Sequence, residues 1–240
     1  MAKEIKIMVD DAALVATEGE YLGDVLKRNN IFVPTMCDHE ELEPYGVCRI
    51  CIVEHDRGDW RKVVTSCNFP VKDGQKFYTK SEKIIRERKM VMELILARSS
   101  KTPEVVALAK RIGVDDTRFP KEDKGCTLCG ACVRACEKVV GVSAIGFSNR
   151  GPDRKVSAPF ECEAERCIGC GSCYYVCPVN FIKMEDKNHK RSLPLWKVEL
   201  EFARCKTCGL DIAPKKQLDY FIKKWKLAPE MFDNCMNCRK

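Results

Sequence analysis

Sixteen of the chain's 17 cysteines fall into four complete sets of four. They are Cys37, Cys48, Cys51 and Cys67; Cys126, Cys129, Cys132 and Cys136; Cys167, Cys170, Cys173 and Cys177; and Cys205, Cys208, Cys235 and Cys238, which leaves only Cys162. Four-thiolate metal sites need complete quartets, so a chain patterned this way is expected to fold around metal. At 240 residues it is much longer than the small scaffolds that disulfides hold together. The opening MAKEIKIMVD alternates apolar and polar residues and lacks the basic-then-apolar order of a secretory signal. No apolar run approaches the ~18 residues needed to cross a membrane. The expected setting is the cytoplasm, where clustered thiols read as metal ligands before they read as disulfides.

The formal charge of +7 counts every cysteine as neutral. A four-thiolate site carries a net charge of about −2, so three sites bring the chain to about +1 and four to about −1. The basic excess is therefore largely counter-charge for buried anionic centres, and a nucleic-acid partner is not expected.

The first 80 residues read as a small α/β domain. Lys3 to Val9 alternates as a strand and residues 12–17 return as a second. Tyr21, Leu22, Val25 and Leu26 have helical spacing between Gly19 and Asn30, Arg49 to Glu54 is a strand candidate, and Asp73-Gly74 is a turn. Ser81 caps a long helix whose expected buried stripe is Ile84, Ile85, Met90, Val91, Leu94 and Ile95. Thr102-Pro103 starts another helix, which stops at Gly113, and the polar run to Gly125 reads as a linker. Residues 126–186 hold an internal repeat, because CTLCGACVRACEKVVGVSAIGF and CIGCGSCYYVCPVNFIKME share cysteine spacing, a glycine after the second cysteine and a following apolar strand. A further small module is expected from Leu193.

Each repeat is C-x2-C-x2-C-x3-C. Three ligands at this spacing grip three irons of a [4Fe–4S] cube, and the fourth cysteine reaches the other cube. One cluster is thus assigned to Cys126, Cys129, Cys132 and Cys177, the other to Cys136, Cys167, Cys170 and Cys173. Pro178 follows Cys177 as the pattern wants, while Glu137 stands in the matching place of the first repeat. Gly130 and Gly171 let backbone amides approach sulfur. The first quartet, C-x10-C-x2-C-x15-C, suits a [2Fe–2S] centre wrapped by backbone, with zinc as the alternative. Cys205-x2-Cys208 and Cys235-x2-Cys238 resemble zinc knuckles, with a further iron–sulfur cluster or a redox-active dithiol as alternatives. Between them Leu218, Phe221, Ile222 and Trp225 share one helical face. His39, His55 and His189 are expected at the surface, Cys162 without a ligand role, and Lys187 to Arg191 as a solvated loop.

The runs IFVPTMC (31–37), GVCRICIVE (46–54), Thr65-Ser66-Cys67 and Arg86 to Lys89, with the paired repeat, resemble the N-terminal part of the large iron–sulfur subunit of respiratory complex I and of related hydrogenase and formate dehydrogenase subunits. The resemblance implies an α+β chain: a β-grasp [2Fe–2S] ferredoxin-like domain over 1–98, a helical linker over 99–125, a two-cluster [4Fe–4S] ferredoxin-like domain over 126–192, and a small four-cysteine module over 193–240. It departs from many relatives in one respect. Residues 97–125 contain neither His nor Cys, so the one-His, three-Cys cluster found there in the complex I subunit is not expected. Nor does this chain show the catalytic region of longer relatives, or a nucleotide-binding or nucleophile–base motif.

The expected function is electron transfer in an anaerobe's cytoplasm. The chain would relay single electrons between a flavin/NAD(H)-binding subunit and a separate catalytic subunit of hydrogenase, formate dehydrogenase, bifurcating or aromatic acyl-CoA reductase type. A free-standing ferredoxin-like carrier and a zinc-rich interaction scaffold are the rivals. Visible iron–sulfur absorption separates the scaffold from both others, and co-purification of fixed partners separates subunit from carrier.

Overall fold

In the computed structural model, which describes residues 3–239, the alternating run after Lys3 forms β1 (Glu4–Val9), with Ile5, Ile7 and Val9 inward. Asp10 and Asp11 both take positive φ, 47° and 70°, the backbone a two-residue hairpin turn needs. They return the chain as β2 (Ala12–Thr17), antiparallel to β1. The helix expected next is α1 (Leu22–Arg28). Its Leu22, Val25 and Leu26 share one core with Ile5, Ile7, Val9, Val53, Val71 and Phe77. β3 (Ile52–Asp56), β4 (Arg61–Thr65) and β5 (Lys76–Tyr78) complete a mixed sheet of order β2-β1-β5-β3-β4, in which only the β1–β5 pair is parallel.

α2 (Glu82–Arg98) is capped as expected, Ser81 Oγ accepting from Ile84 N at 3.3 Å. Its buried stripe differs from the expected one. Ile84, Arg88, Met92 and Leu96 face inward, while Ile85, Met90 and Leu94 are exposed. The residues repeat every four positions, and an arginine at one of them hid the stripe from a purely apolar reading. α3 (Pro103–Arg111) starts with Pro103 after Thr102 and packs on α2.

The chain divides into two units between Cys129 and Gly130. In the second unit, α4 (Ala131–Arg134) runs into a π-helical turn over residues 135–140. β6 (Gly146–Ser148) and β7 (Lys155–Ser157) form a hairpin, and α5 (Ser172–Tyr175) packs on α4. β8 (Glu185–Lys187), β9 (Lys190–Leu193), β10 (Val198–Arg204) and β11 (Asp211–Pro214) make one antiparallel sheet in sequential order. The expected boundary between residues 192 and 193 falls inside β9. The charged run expected as a solvated loop is instead the β8–β9 hairpin, turned by Asn188 and His189 at φ 51° and 60°. Arg191 folds inward from it, paired at two points with Asp186 and donating to Gly169 O at 2.8 Å.

α6 (Lys215–Trp225) returns over the repeat with most of the expected face covered, Phe221 and Ile222 being half-buried. Leu218 is buried, whereas Trp225 is exposed and stacks on Phe221. The helix is held by Tyr220 Oη and Lys224 Nζ, both donating to Val140 O at 2.8 and 2.9 Å.

His189 is exposed and lies 2.9 Å from Asp211, as a surface residue. His55 corrects the same expectation. It sits on β3, which is covered on both faces, is only 4% exposed, stacks on Phe77 at 4.9 Å and meets Phe69 edge-on at 5.1 Å. Burial holds its pKa below the ordinary 6.5, so it folds neutral. The unfolded chain takes up a proton at this histidine as pH falls below 6.5, and the folded one resists. Stability contributed by neutral His55 is thus complete above pH 6.5 and declines below it. Thermal melts across pH 5–8 should show the decline in the native protein and a flatter profile for His55→Phe. Identical profiles would mean that His55 does not govern it.

Candidate metal centres

The first quartet is built by irregular backbone leading into a sheet edge. Residues 34–51 form no regular element and deliver Cys37, Cys48 and Cys51 just before β3, while Cys67 sits on the short turn after β4. Cys37, Cys51 and Cys67 are buried. The Sγ atoms of Cys51 and Cys67 are 3.4 Å apart, and the Cys37 thiol hydrogen-bonds with those of Cys48 and Cys67. All four sulfurs therefore form one connected group. Its members share protons unequally. Bonds from Cys48 and Cys67 hold Cys37 down to about 2, and a bond from Cys67 brings Cys51 to about 7. Cys48 and Cys67 are pushed up, each by its bond to Cys37. Buried thiols that already stabilise thiolates in their own group are a fit donor set for a thiolate-ligated metal centre.

Arg88 stands beside this group, and the sequence reading missed it. Its Nε and Nη2 both donate to Ile52 O, at 3.0 and 2.6 Å, next in sequence to Cys51. Desolvation brings its guanidinium down to about 10, opposed by the charges of Cys51 and Asp10. A basic residue in step with Ile84, Met92 and Leu96 was the available signal.

The repeat is written in backbone conformation as well as in cysteine spacing. Gly130 and Gly171 precede α4 and α5 at φ 75° and 76°, a region that glycine enters without steric cost. Leu128 and Gly169, at matching places, are also left-handed. So are Ser143 and Asn180, and the amide after each donates to the last cysteine of its repeat. Ala144 N meets Cys136 Sγ at 3.2 Å, and Phe181 N meets Cys177 Sγ at 3.3 Å. The first repeat needs eight residues for this return and the second only four, the difference being taken up by the π-helical turn after α4.

Cys136, Cys167, Cys170 and Cys173 line one small apolar cavity, together with Val142, Ile168 and Trp196. The chain thus brings the fourth cysteine of the first repeat to the first three of the second. Burial pushes the Cys136, Cys167 and Cys173 thiols up, Cys173 to about 12. Donors oppose it: Ala144 N for Cys136, Gly169 N at 3.4 Å for Cys167, and the Trp196 indole at 3.4 Å for Cys173, while the Cys170 thiol donates to Ser172 Oγ at 3.4 Å. A cavity ringed by four thiols with polar donors behind them fits an anionic cluster. Of the other set, Cys126 and Cys129 belong to the first unit, where Arg98 Nε donates to Cys126 O at 2.8 Å. Cys132 and Cys177 belong to the second, Cys132 on α4 and Cys177 just after α5.

The last quartet differs in scale. The sulfurs of Cys205, Cys208, Cys235 and Cys238 all lie within 4.8 Å of one another, and among the described residues this set alone meets that limit. A tetrahedral zinc with ~2.3 Å bonds places its thiolates ~3.8 Å apart. Thiolates on a four-iron cube each bind a different iron and lie farther apart. Two short turns hold the set: Gly209 N donates to Cys205 O and Cys238 N to Cys235 O, at 2.9 and 3.0 Å. Lys206 and Asp233 tie them by a backbone bond and an ion pair. Amides of Cys235 and Cys208 bring Cys205 down to about 6, the direction that favours a metal-binding thiolate. His39 is half-exposed, and its Nδ1 accepts from Glu41 N at 3.2 Å. Cys162 is exposed, its thiol 3.6 Å from Phe160 O.

Residues 2–82 match the family described as 2Fe-2S iron-sulfur cluster binding domain, and residues 163–183 the 4Fe-4S binding domain. The chain is 29% identical over 203 residues to the NADPH-Fe(3+) oxidoreductase subunit alpha of Geobacter sulfurreducens, covering 72% of this chain and 23% of that protein. It is 27% identical over 241 residues to an NADH-quinone oxidoreductase subunit of Rhizobium meliloti, covering 88% and 28%. It spans about a quarter of the length of these curated relatives. A crystal structure of an NAD+-reducing [NiFe]-hydrogenase in the H2-reduced state shares the fold, with a TM-score of 0.55 and 24% identity over 64% of this chain and 74% of that one. No helix among the described residues is long and apolar enough to cross a membrane.

Arg88 generates a direct test. Arg88→Met keeps a long apolar stem against Ile84 and Met92 but removes two charged hydrogen bonds to Ile52 O. Such bonds contribute about 1.5–3 kcal/mol each, so the variant should lower the first unit's stability by at least that much. Hydrogen exchange of β3 amides under increasing urea reads it out. An unchanged midpoint would show that the guanidinium is not holding β3.

Proposed function

We infer, for a chain that resembles the iron–sulfur subunits of complex I-like oxidoreductases, that it is a non-catalytic electron-transfer subunit of a multi-subunit enzyme. It would pass single electrons between a flavin/NAD(H)-binding subunit and a separate catalytic subunit of hydrogenase, formate dehydrogenase, bifurcating or aromatic acyl-CoA reductase type, in the cytoplasm. The observation that carries this reading is the cavity shared by Cys136, Cys167, Cys170 and Cys173, because exchange of the fourth ligand between repeats is how a two-cluster ferredoxin is built. The two matched families and the sheet order of the first unit, with α1 in its core, support a β-grasp [2Fe–2S] domain ahead of it.

In this reading Cys37, Cys48, Cys51 and Cys67 hold a [2Fe–2S] cluster. Cys126, Cys129, Cys132 and Cys177 hold one [4Fe–4S] cluster, and Cys136, Cys167, Cys170 and Cys173 hold the second. The clusters supply one-electron steps. The chain supplies thiolates, amide donors and apolar walls that keep water away. Cys205, Cys208, Cys235 and Cys238 hold a single zinc, which the 4.8 Å limit on their sulfur separations favours over a third cube. The zinc fixes the end of the segment that carries α6, and so holds Tyr220 and Lys224 against the repeat.

Anaerobically reconstituted full-length protein should contain about 10 irons, as many acid-labile sulfides, and one zinc. Cys235→Ser with Cys238→Ser should release the zinc and keep the iron. Near 14 irons without zinc would contradict the assignment of the last quartet. Cys48→Ala should erase the [2Fe–2S] signal in EPR while both cube signals stay. Cys136→Ala should damage the cube of Cys167, Cys170 and Cys173, and loss of the other cube instead would overturn the exchange.

A further inference from the structure

The side chain that closes the second cube's cavity comes from outside both repeats. Trp196 ends a short turn between β9 and β10 and is only 1% exposed. Its indole N–H is a donor with no acceptor of its own, and burial without a partner costs free energy. That donor points at Cys173 Sγ, 3.4 Å away. The turn is fixed on both sides. Lys197 N donates to Pro194 O at 3.0 Å, and Ala164 N donates to Trp196 O at 3.1 Å. Cys167 N in turn donates to Ala164 O at 2.7 Å, so the turn and the first ligand of the second repeat are joined through one residue.

We propose that Trp196 is a tuning residue for the second [4Fe–4S] cluster, its indole N–H raising the cluster's reduction potential through Cys173. This rests on the cluster assignment above and goes beyond it. Reduction adds one electron and makes the cluster and its thiolates more negative. A fixed N–H dipole aimed at a ligand sulfur stabilises the reduced state more than the oxidised one, and hydrogen bonds to sulfur are among the levers that set such potentials. The contacts on Cys136 and Cys167 come from backbone amides, which every sequence on this backbone would supply. The Trp196 contact is a side-chain choice, made by the sheet that continues past the repeats. In this account that sheet takes part in setting the potential as well as in packing.

The test uses full-length, reconstituted protein carrying Trp196→Phe, which keeps a large aromatic ring and deletes the donor. Iron and sulfide analysis comes first. About 10 of each says that the clusters are present, and a native protein lacking the second cube would fail the underlying assignment, and the tuning role with it, at this step. An EPR-monitored redox titration then reads each cluster separately. At a fixed solution potential the reduced-to-oxidised ratio of the second cube should fall about tenfold, or about 59 mV for one electron, with the other two clusters unmoved. If the variant loads poorly, replacing tryptophan throughout by the sulfur isostere 3-benzothienylalanine removes the N–H and keeps the shape. The other two tryptophans, Trp60 and Trp225, are more than half exposed. An unchanged potential in a fully loaded variant of either kind would overturn the proposal, and so would an equal shift of all three clusters.

Discussion

Cysteine sulfur buried in an apolar interior is the constraint on which the rest of this structure depends. Burial alone pushes the Cys136, Cys167 and Cys173 thiols towards their neutral forms. The chain answers with N–H groups aimed at sulfur, and most of its unusual backbone serves that end. Left-handed residues recur at matching places in both repeats because such a residue turns the next amide towards the loop's interior. Leu128, Ser143 and Asn180 accept that conformation without being glycine, at a cost of roughly 1–2 kcal/mol for a residue such as Leu128, and the surrounding ligand geometry must outweigh it. The π-helical turn over residues 135–140 has the same origin. It absorbs four extra residues between Cys136 and the amide that binds its sulfur, so the contact survives an insertion in the first repeat.

The last part of the chain belongs to this arrangement. β8 and β9 lie before and across the expected start of the C-terminal module, and one sheet runs from β8 to β11. Trp196, Arg191 and Tyr220 reach back from it and from α6 to Cys173, Gly169 and Val140. The tight set of four cysteines at the far end closes this segment covalently through metal in the proposed reading. That is the means by which a small sheet with little core of its own is made stiff.

What the sequence made legible follows from range. The strands β1 and β2, α1 and the Ser81 cap are local patterns, and the structure has them within a few residues. Several of the errors are of one kind. Arg88, His55 and Arg191 are polar residues that pack inward because a distant element supplies a partner: Ile52 O, the Phe69 and Phe77 rings, and Gly169 O with Asp186. A sequence pattern that assigns polar residues to solvent turns the α2 stripe to the wrong face and puts His55 outside. Trp196 escaped notice for the converse reason. A lone tryptophan after Pro194-Leu195 reads as core, and its N–H acquires meaning only once Cys173 lies beside it, 23 positions away.

Arg88 and Arg191 share a further logic. Each donates to the carbonyl of a residue next in sequence to a ligand-set cysteine: Ile52 after Cys51, and Gly169 before Cys170. A cation placed one peptide away contributes charge without bonding sulfur itself, so it can compensate an anionic centre while leaving amides as the direct donors. The two are balanced differently. Arg191 is held in a two-point pair by Asp186, which cancels much of its field. Arg88 faces Cys51 and Asp10, and Asp10 is engaged with Thr79 through both carboxylate oxygens. More of the Arg88 charge is therefore left to act on the first quartet than of the Arg191 charge on the cavity of Cys170. Side-chain compensation of sulfur is thus mainly ionic at the first quartet and mainly dipolar at the cavity of Cys136, Cys167, Cys170 and Cys173, where the Trp196 indole points at Cys173 Sγ. The chain's excess of basic residues is in this sense partly structural, since a buried guanidinium needs negative groups beside it, here Cys51 and Asp10 for Arg88.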